Sequence, residues 1–265
     1  MGYKNQSTGQ ESLSNEDRLY MCKMGARFKE RVYEPTKLPE NCKCKLCGDL
    51  GYRFYWYDGY QYAEECECSG SRKSEESIRK AGIKRDMTFD NFYTDKEFQK
   101  YIKEKALQYS KDGYLAGQWF YVGGQVGCGK THICTAIVSE LARKGATCRY
   151  MAWRNEAVEL KSIVNEHEEY HYRLMDLCNA PVLYIDDLFK TQAGMSPTTA
   201  DVNLAFSIIN HRYNDANKVT IVSCEYRSEQ LLDIDEATAS RIIEKCKSYT
   251  IDVQKDRDRN FRLTK

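Results

Sequence analysis

Nowhere in this 265-residue chain is there an apolar run near the length needed to cross a bilayer. The polar N-terminus shows no signal-peptide pattern. After Met1-Gly2, Ser7 falls one place too late for the usual myristoylation pattern. A surplus of charge is missing as well: 40 Lys and Arg face 39 Asp and Glu, a formal net charge of +1. That near balance excludes an all-over cationic coat for nucleic acid and leaves room only for a local basic patch. With a mean hydropathy of −0.69, these absences predict a soluble, cytoplasmic chain without a membrane partner. What is present is a hydrophobic fraction of 42%. That is enough for a core, on a length suited to one medium domain and one small one.

Twelve cysteines are a high count, and their placement matters more than their number. Seven stand singly along the chain, which suggests a reducing compartment. The other five cluster as Cys42, Cys44, Cys47, Cys66 and Cys68. Cys44-x-x-Cys47 can present two thiolates to one ion, and Cys66 with Cys68 can complete a tetrahedron. Four thiolates leave no open position, so a structural Zn²⁺ is expected, with Cys42 spare or alternate. Between the pairs, Tyr52–Tyr62 is aromatic around Asp58-Gly59, a strong two-residue hairpin turn. The pattern predicts a small zinc-ribbon-like module over 41–70 whose folding leans on the metal. Ahead of it, 1–40 reads as a polar tail, mobile to about residue 18, and a short helix with Tyr20, Met24 and Phe28 recurring every four residues. Behind it, the polar stretch 71–86 reads as a linker running into a short helix. Thr94-x-x-Glu97 then reads as a capping box opening a helix with Phe98, Tyr101, Ile102, Lys105 and Tyr109 on one side.

Over 87–265 strands and helices alternate, which predicts an α/β domain with a mainly parallel sheet. Gly124, Gln125, Val126, Gly127, Cys128, Gly129, Lys130 and Thr131 spell G-x-x-x-x-G-K-T, followed by His132. Trp119–Val122 enters this loop as a buried strand would, and Ile133, Ile137 and Leu141 leave it on one helical face. Its glycines let backbone N–H groups approach phosphates, and the helix adds the positive end of its dipole. Lys130 would neutralise the β- and γ-phosphates of ATP, and the Thr131 hydroxyl would bind Mg²⁺. Downstream, Val182–Asp187 is a buried strand ending in two carboxylates. Asp186 would hold Mg²⁺ through water and Asp187 would polarise the attacking water. Because Asp is shorter than the Glu common at this second place, slow turnover is expected.

The order of these motifs resembles that of the DnaC/DnaI-type helicase loaders, a branch of the AAA+ ATPases, and of their phage versions in particular. The text carrying the resemblance is Thr88-Phe89-Asp90-Asn91-Phe92, the loop through His132, Tyr184-Ile185-Asp186-Asp187-Leu188, Asn210-His211-Arg212-Tyr213, Thr220–Ser223 and Ala239-Ser240-Arg241-Ile242. The cysteine module looks like the N-terminal zinc-binding domain of the Gram-positive loaders, so the likeness covers about residues 40–265. It implies an AAA+ P-loop core behind the zinc module, with Asn91 and Phe92 near the adenine. Glu225 falls where the family has its first sensor, usually Asn, with Ser223 as a fallback. Arg241 falls at the subunit junction and Lys245 one turn on, where an arginine finger is often found. Arg262 falls where a second sensor would reach the phosphates. The implied partners are a replicative hexameric DNA helicase, single-stranded DNA and further copies of the chain, joined through the ATPase domain. Basic residues between Arg149 and Lys161 are candidates for DNA contact. Two rival functions remain: an IstB-like transposition ATPase, and an adaptor that binds nucleotide without hydrolysing it.

Overall fold

The hairpin turn shows how the small unit is assembled. Asp58 and Gly59 both have positive φ, 50° and 85°, the geometry that matches the twist of a two-residue hairpin. They join β2 (Tyr52–Tyr57) to β3 (Tyr60–Glu65), and β1 (Val32–Tyr33) adds antiparallel to β2. A computed structural model describes residues 13–42, 44–83, 86–191 and 195–262. By contact the chain divides into units of residues 1–72 and 73–265. Residues 1–12 of the expected tail lie outside the described residues, as do 84–85 of the expected linker and 192–194 of the loop after the second carboxylate.

In the first unit, α1 (Asn15–Lys23) starts further back than the tail reading allows, because Ser14 and Asp17 form a reciprocal capping box. The stripe of Tyr20, Met24 and Phe28 is not its buried face. Tyr20 and Met24 are 67% and 73% exposed, whereas Leu19, Cys22 and Val32 form the core with Phe28 and Trp56 against it. The polar run expected as a linker is helical from its start, as α2 (Glu67–Lys80).

In the second unit, α3 (Glu97–Gln108) begins with Lys96 as cap and not Thr94. The buried Gln99 side chain accepts the Lys96 N–H at 2.7 Å, which shifts the start by two residues. Tyr101 consequently faces solvent at 51% exposure, and Ile102 and Ala106 face the core. Five strands follow: β4 (Phe120–Gly124), β5 (Cys148–Ala152), β6 (Val182–Leu188), β7 (Val219–Cys224) and β8 (Thr250–Val253). All pair in parallel, in the order β5-β6-β7-β4-β8. Helices α4 (Lys130–Arg143), α5 (Trp153–Ser162), α6 (His167–Asn179), α7 (Thr199–Tyr213), α8 (Ser228–Ile234) and α9 (Glu236–Cys246) make the crossovers and flank the sheet. β4 and β7 are buried along their whole length, as near-continuous apolar parallel strands should be. The chain leaves β4 toward β5 on one side and returns to β8 on the other. That reversal opens a crevice at the carboxyl end of β4, where ligands bind in such sheets. Among the described residues, no helix is long and apolar enough to cross a membrane.

Candidate functional site

The loop from Gly124 to Thr131 lies in that crevice. Gly124 and Gly127 have φ of 109° and 76°. A Cβ on them would sit 2.0 Å from the Val253 carbonyl oxygen and 2.1 Å from Asn260 Oδ1, so the C-terminal segment packs directly on the loop. The Phe261 N–H donates to the Gly127 carbonyl at 3.1 Å, and Gln125 both donates to the Val253 carbonyl and accepts the Asp256 N–H. Arg262 thereby joins the cavity lining, as do Val126, Gly129 and His132. Cys128 is buried, which pushes its thiol up and keeps it neutral. Lys130 is 6% exposed, and its Nζ donates to the Gly124 and Gln125 carbonyls at 2.9 and 2.8 Å. These neutral acceptors hold the ammonium inside the loop, where a phosphate would compete for it. The α4 N-terminus has no side-chain cap, so its N–H groups remain for an anion.

Asp186 is the most heavily bonded carboxylate of the site. Its Oδ1 accepts from Tyr184 Oη at 2.6 Å, Ser223 Oγ at 2.6 Å and Thr131 Oγ1 at 3.1 Å; its Oδ2 accepts from Tyr150 Oη at 2.9 Å. Burial, then the nearby Cys134 and Asp186, keeps the Tyr184 hydroxyl protonated and therefore a donor. The Thr131–Asp186 contact places the two expected Mg²⁺ ligands side by side as hard oxygen donors, which suits that ion. Asp187 leaves the strand alternation at a bulge between Ile185 and Leu188, with φ of 57°. Its N–H donates to Ser223 Oγ at 2.9 Å. Ser223 thus fastens both carboxylates to β7, a stronger placement than the fallback role that the sequence suggests.

Three residues after Asp187, Lys190 reaches back. Its Nζ donates to Asp187 Oδ2 at 3.1 Å and to Glu225 Oε1. Burial works against its charge, but these two carboxylates outweigh it and raise its pKa. Lys190, Asp187 and Glu225 line a cavity of about 130 Å³ together with Lys130, Thr131 and Arg262. A larger cavity of about 450 Å³ shares Thr131 and extends past Tyr150 and Arg149. Nothing in the sequence marked Lys190 or Tyr150. One lies in an irregular loop, and the other is brought to Asp186 by strand pairing.

The residues expected at the adenine form a clamp. Thr88 N–H donates to Asn91 Oδ1 at 2.8 Å and Asn91 N–H to Thr88 Oγ1 at 3.3 Å. Asn91 Nδ2 donates to the Asp86 carbonyl, and His132 Nε2 lies 2.9 Å from both the Thr88 carbonyl and Asn91 Oδ1. Both partners are acceptors, so Nε2 carries a proton. Asn91 is spent on fixing the 86–92 segment to α4. Phe92 is buried edge-on to His132, at a centroid distance of 5.2 Å.

Arg241 and Lys245 are not in the cavity lining. On α9, Arg241 stacks over Phe206 and Tyr213 at 5.2 and 5.6 Å, and Lys245 sits 5.1 Å from Tyr213. Of the DNA-contact candidates, Arg149 is paired with Glu156 and Asp176, and Lys161 with Asp201.

In the first unit the Sγ atoms of Cys44, Cys47, Cys66 and Cys68 all lie within 4.8 Å of one another. Sγ pairs 44/66 and 47/68 are 3.7 and 3.3 Å apart, near the edge of about 3.8 Å that a tetrahedron with Zn–S of about 2.3 Å requires. Cys42 is outside the cluster and meets Lys45 Nζ. Burial opposes ionisation of Cys47, but the Gly51 N–H and the other thiols pull it down to about 6. The hydrogen bond between Cys47 and Cys68 then pushes Cys68 up to about 12, with burial adding to the effect. All four sulfurs can ionise together only against a cation, and the donor set fits Zn²⁺.

Residues 49–262 match the family described as IstB-like ATP binding protein. The uncharacterized protein YqaM of Bacillus subtilis (strain 168) is 33% identical over 213 residues, covering 76% of this chain and 66% of that relative, just under two thirds of its length. The XkdC protein of the phage-like element PBSX, from the same organism, is 30% identical over 223 residues, 78% of this chain and 81% of its own. The crystal structure of the DnaC helicase loader aligns at TM-score 0.52 and 19% identity, over 64% of this chain and 97% of that one, a likeness of fold. With residues 49–262 inside the match, the chain belongs to the IstB-like ATP-binding family and has an AAA+ P-loop fold.

Proposed function

We propose that this chain is an ATP-dependent loader of a replicative DNA helicase, with the four-cysteine unit gripping the helicase and the ATPase unit contacting single-stranded DNA. The observation that carries this reading over its rivals is the four-thiol cluster preceding the nucleotide core, which gives the ATPase a separate part with which to hold a partner. A bound Mg²⁺ would supply charge neutralisation for the nucleotide's phosphates. Thr131 and Asp186 would hold that ion, and Lys130 would leave its loop carbonyls for the phosphates. Asp187 would accept the proton of the water that adds to the γ-phosphorus as the β–γ P–O bond breaks, leaving ADP and phosphate. Arg241, which does not line its own chain's cavity, would serve the site of a neighbouring copy, so that ATP completes the junction and hydrolysis releases it.

Affinity capture from the host cell, with and without non-hydrolysable ATP, tests this reading. Nucleotide-dependent recovery of the replicative helicase supports it, and recovery of a transposase with duplex DNA in its place overturns it. The pairing of Asp187 with Lys190 favours one second reading, a non-hydrolysing adaptor. In that case Asp187→Asn would leave function intact, whereas a loader would be trapped in ATP-bound complexes.

A further inference from the structure

A carboxylate in the position of Glu225 faces a difficulty. It shares a cavity with the loop that would hold a polyanion, and like charges in so confined a space repel. Lys190 is built to answer that repulsion. The turn presenting it holds two residues at positive φ, Asp187 at 57° and Phe189 at 61°, and for a bulky phenylalanine this is a rare conformation. Such strain persists only when surroundings impose it, and it collects at functional sites. Here the surroundings are evident. Phe189 is 1% exposed with its ring edge-on to Trp153 at 5.6 Å, and the Lys190 N–H closes the turn on the Asp187 carbonyl at 2.9 Å. The result is an ammonium held between two carboxylates, in the same cavity as Lys130 and Thr131.

Resting on the ATPase reading above, we propose that Lys190 is a latch that senses the γ-phosphate. Without a terminal phosphate its ammonium pairs with both Asp187 and Glu225, and Asp187 is held from acting as a base. A γ-phosphate carries more charge than either carboxylate and draws the ammonium to itself, with Glu225 as the remaining partner. Asp187 is then free to accept a proton from the attacking water. Lys190 and Glu225 together would take the place of the neutral sensor side chain, and the chain would distinguish triphosphate from diphosphate by one lysine.

Equilibrium binding of fluorescent ATP and ADP analogues, in the presence of Mg²⁺, to the full chain tests this. The latch requires Lys190→Met to weaken ATP by about tenfold relative to ADP, the size expected for one lost close charge pair. Lys190→Arg should keep the preference, and Lys190→Met combined with Glu225→Gln should recover part of it by removing the uncompensated carboxylate. Thermal midpoints of each variant separate a folding defect from a lost contact. If wild type binds both nucleotides and the single and double variants leave the ATP-to-ADP ratio unchanged, the latch is wrong and the ATPase reading stands. If wild type binds neither nucleotide, both are wrong.

Discussion

Replacing Arg212 with methionine removes a guanidinium that is 0% exposed and has only neutral acceptors. Its Nε donates to Thr220 Oγ1 at 3.0 Å. Nη1 donates to the carbonyls of Leu177, Cys178 and Ala180 at 3.1, 3.2 and 2.6 Å, and Nη2 to that of Val219 at 2.6 Å. One side chain on α7 thus pins the end of α6, the approach to β6 and the start of β7, the two strands that carry Asp186 and Ser223. Two opposing terms set the magnitude. Burial pulls the Arg212 pKa down from 12.5 to about 10, a charge penalty of roughly 3 kcal/mol that methionine would relieve. Against it stand five acceptors, each costing about 1–3 kcal/mol if left unpaired in the interior. The net expectation is a loss of about 3–5 kcal/mol, as for other broken buried charge networks. Urea unfolding followed by tryptophan fluorescence measures it, because Trp119 lies beside this region, with its Nε1 donating to the Lys218 carbonyl. Arg212→Lys keeps the charge without the planar fork and should restore only part of the loss. A loss below about 1 kcal/mol for Arg212→Met at an unchanged urea slope would refute the reasoning, because the acceptors would then need no partner.

Other consequences can be checked separately. Ser223→Ala leaves the Asp187 N–H without its acceptor and Asp186 without one donor. It should cost about 1–2 kcal/mol of stability and slow phosphate release far more than it weakens ADP binding, as kinetics and titration would show. Asp201 caps α7 through Thr198 and pairs with Lys161; burial opposes its ionisation, but these contacts hold its pKa below the usual value. Its contribution is therefore present above the unfolded pKa of about 3.9 and lost as pH falls through the lower folded value. Asp201→Asn should cost about 1 kcal/mol near neutrality, with the gap from wild type closing below about pH 4 in urea titrations. Elemental analysis should find about one zinc per chain. Cys42→Ser should leave that content intact, Cys47→Ser should abolish it, and a strong chelator should unfold the first unit as followed by circular dichroism.

Contiguous chemistry was legible in the sequence. The loop from Gly124 to Thr131 and the pair Asp186-Asp187 each place their groups within a few residues, and strand–loop–helix order does the rest. Asp58-Gly59 was legible for a similar local reason, since both residues accept the positive φ that the turn needs. What depended on packing was not. Tyr20 and Met24 repeat at helical spacing as plainly as Leu19 and Cys22, and only the position of Trp56 and Val32 decides which face is buried. Thr94 lost the cap of α3 to the Gln99 side chain, which accepts the Lys96 N–H and competes on equal terms in sequence. Within the site, Tyr150 reaches Asp186 because β5 pairs with β6, and Lys190 reaches Asp187 because a bulge turns the chain. Neither pairing register nor bulge can be read from one chain's letters.

The loader reading is tested most directly by transfer of a purified replicative helicase onto a closed circle of single-stranded DNA, scored as helicase retained on the DNA after gel filtration. Retention should require this chain and ATP together, and it should fail with Lys130→Ala, which removes the ammonium held by the loop carbonyls. Helicase retained to the same extent without the chain, or with the Lys130→Ala variant, would contradict it.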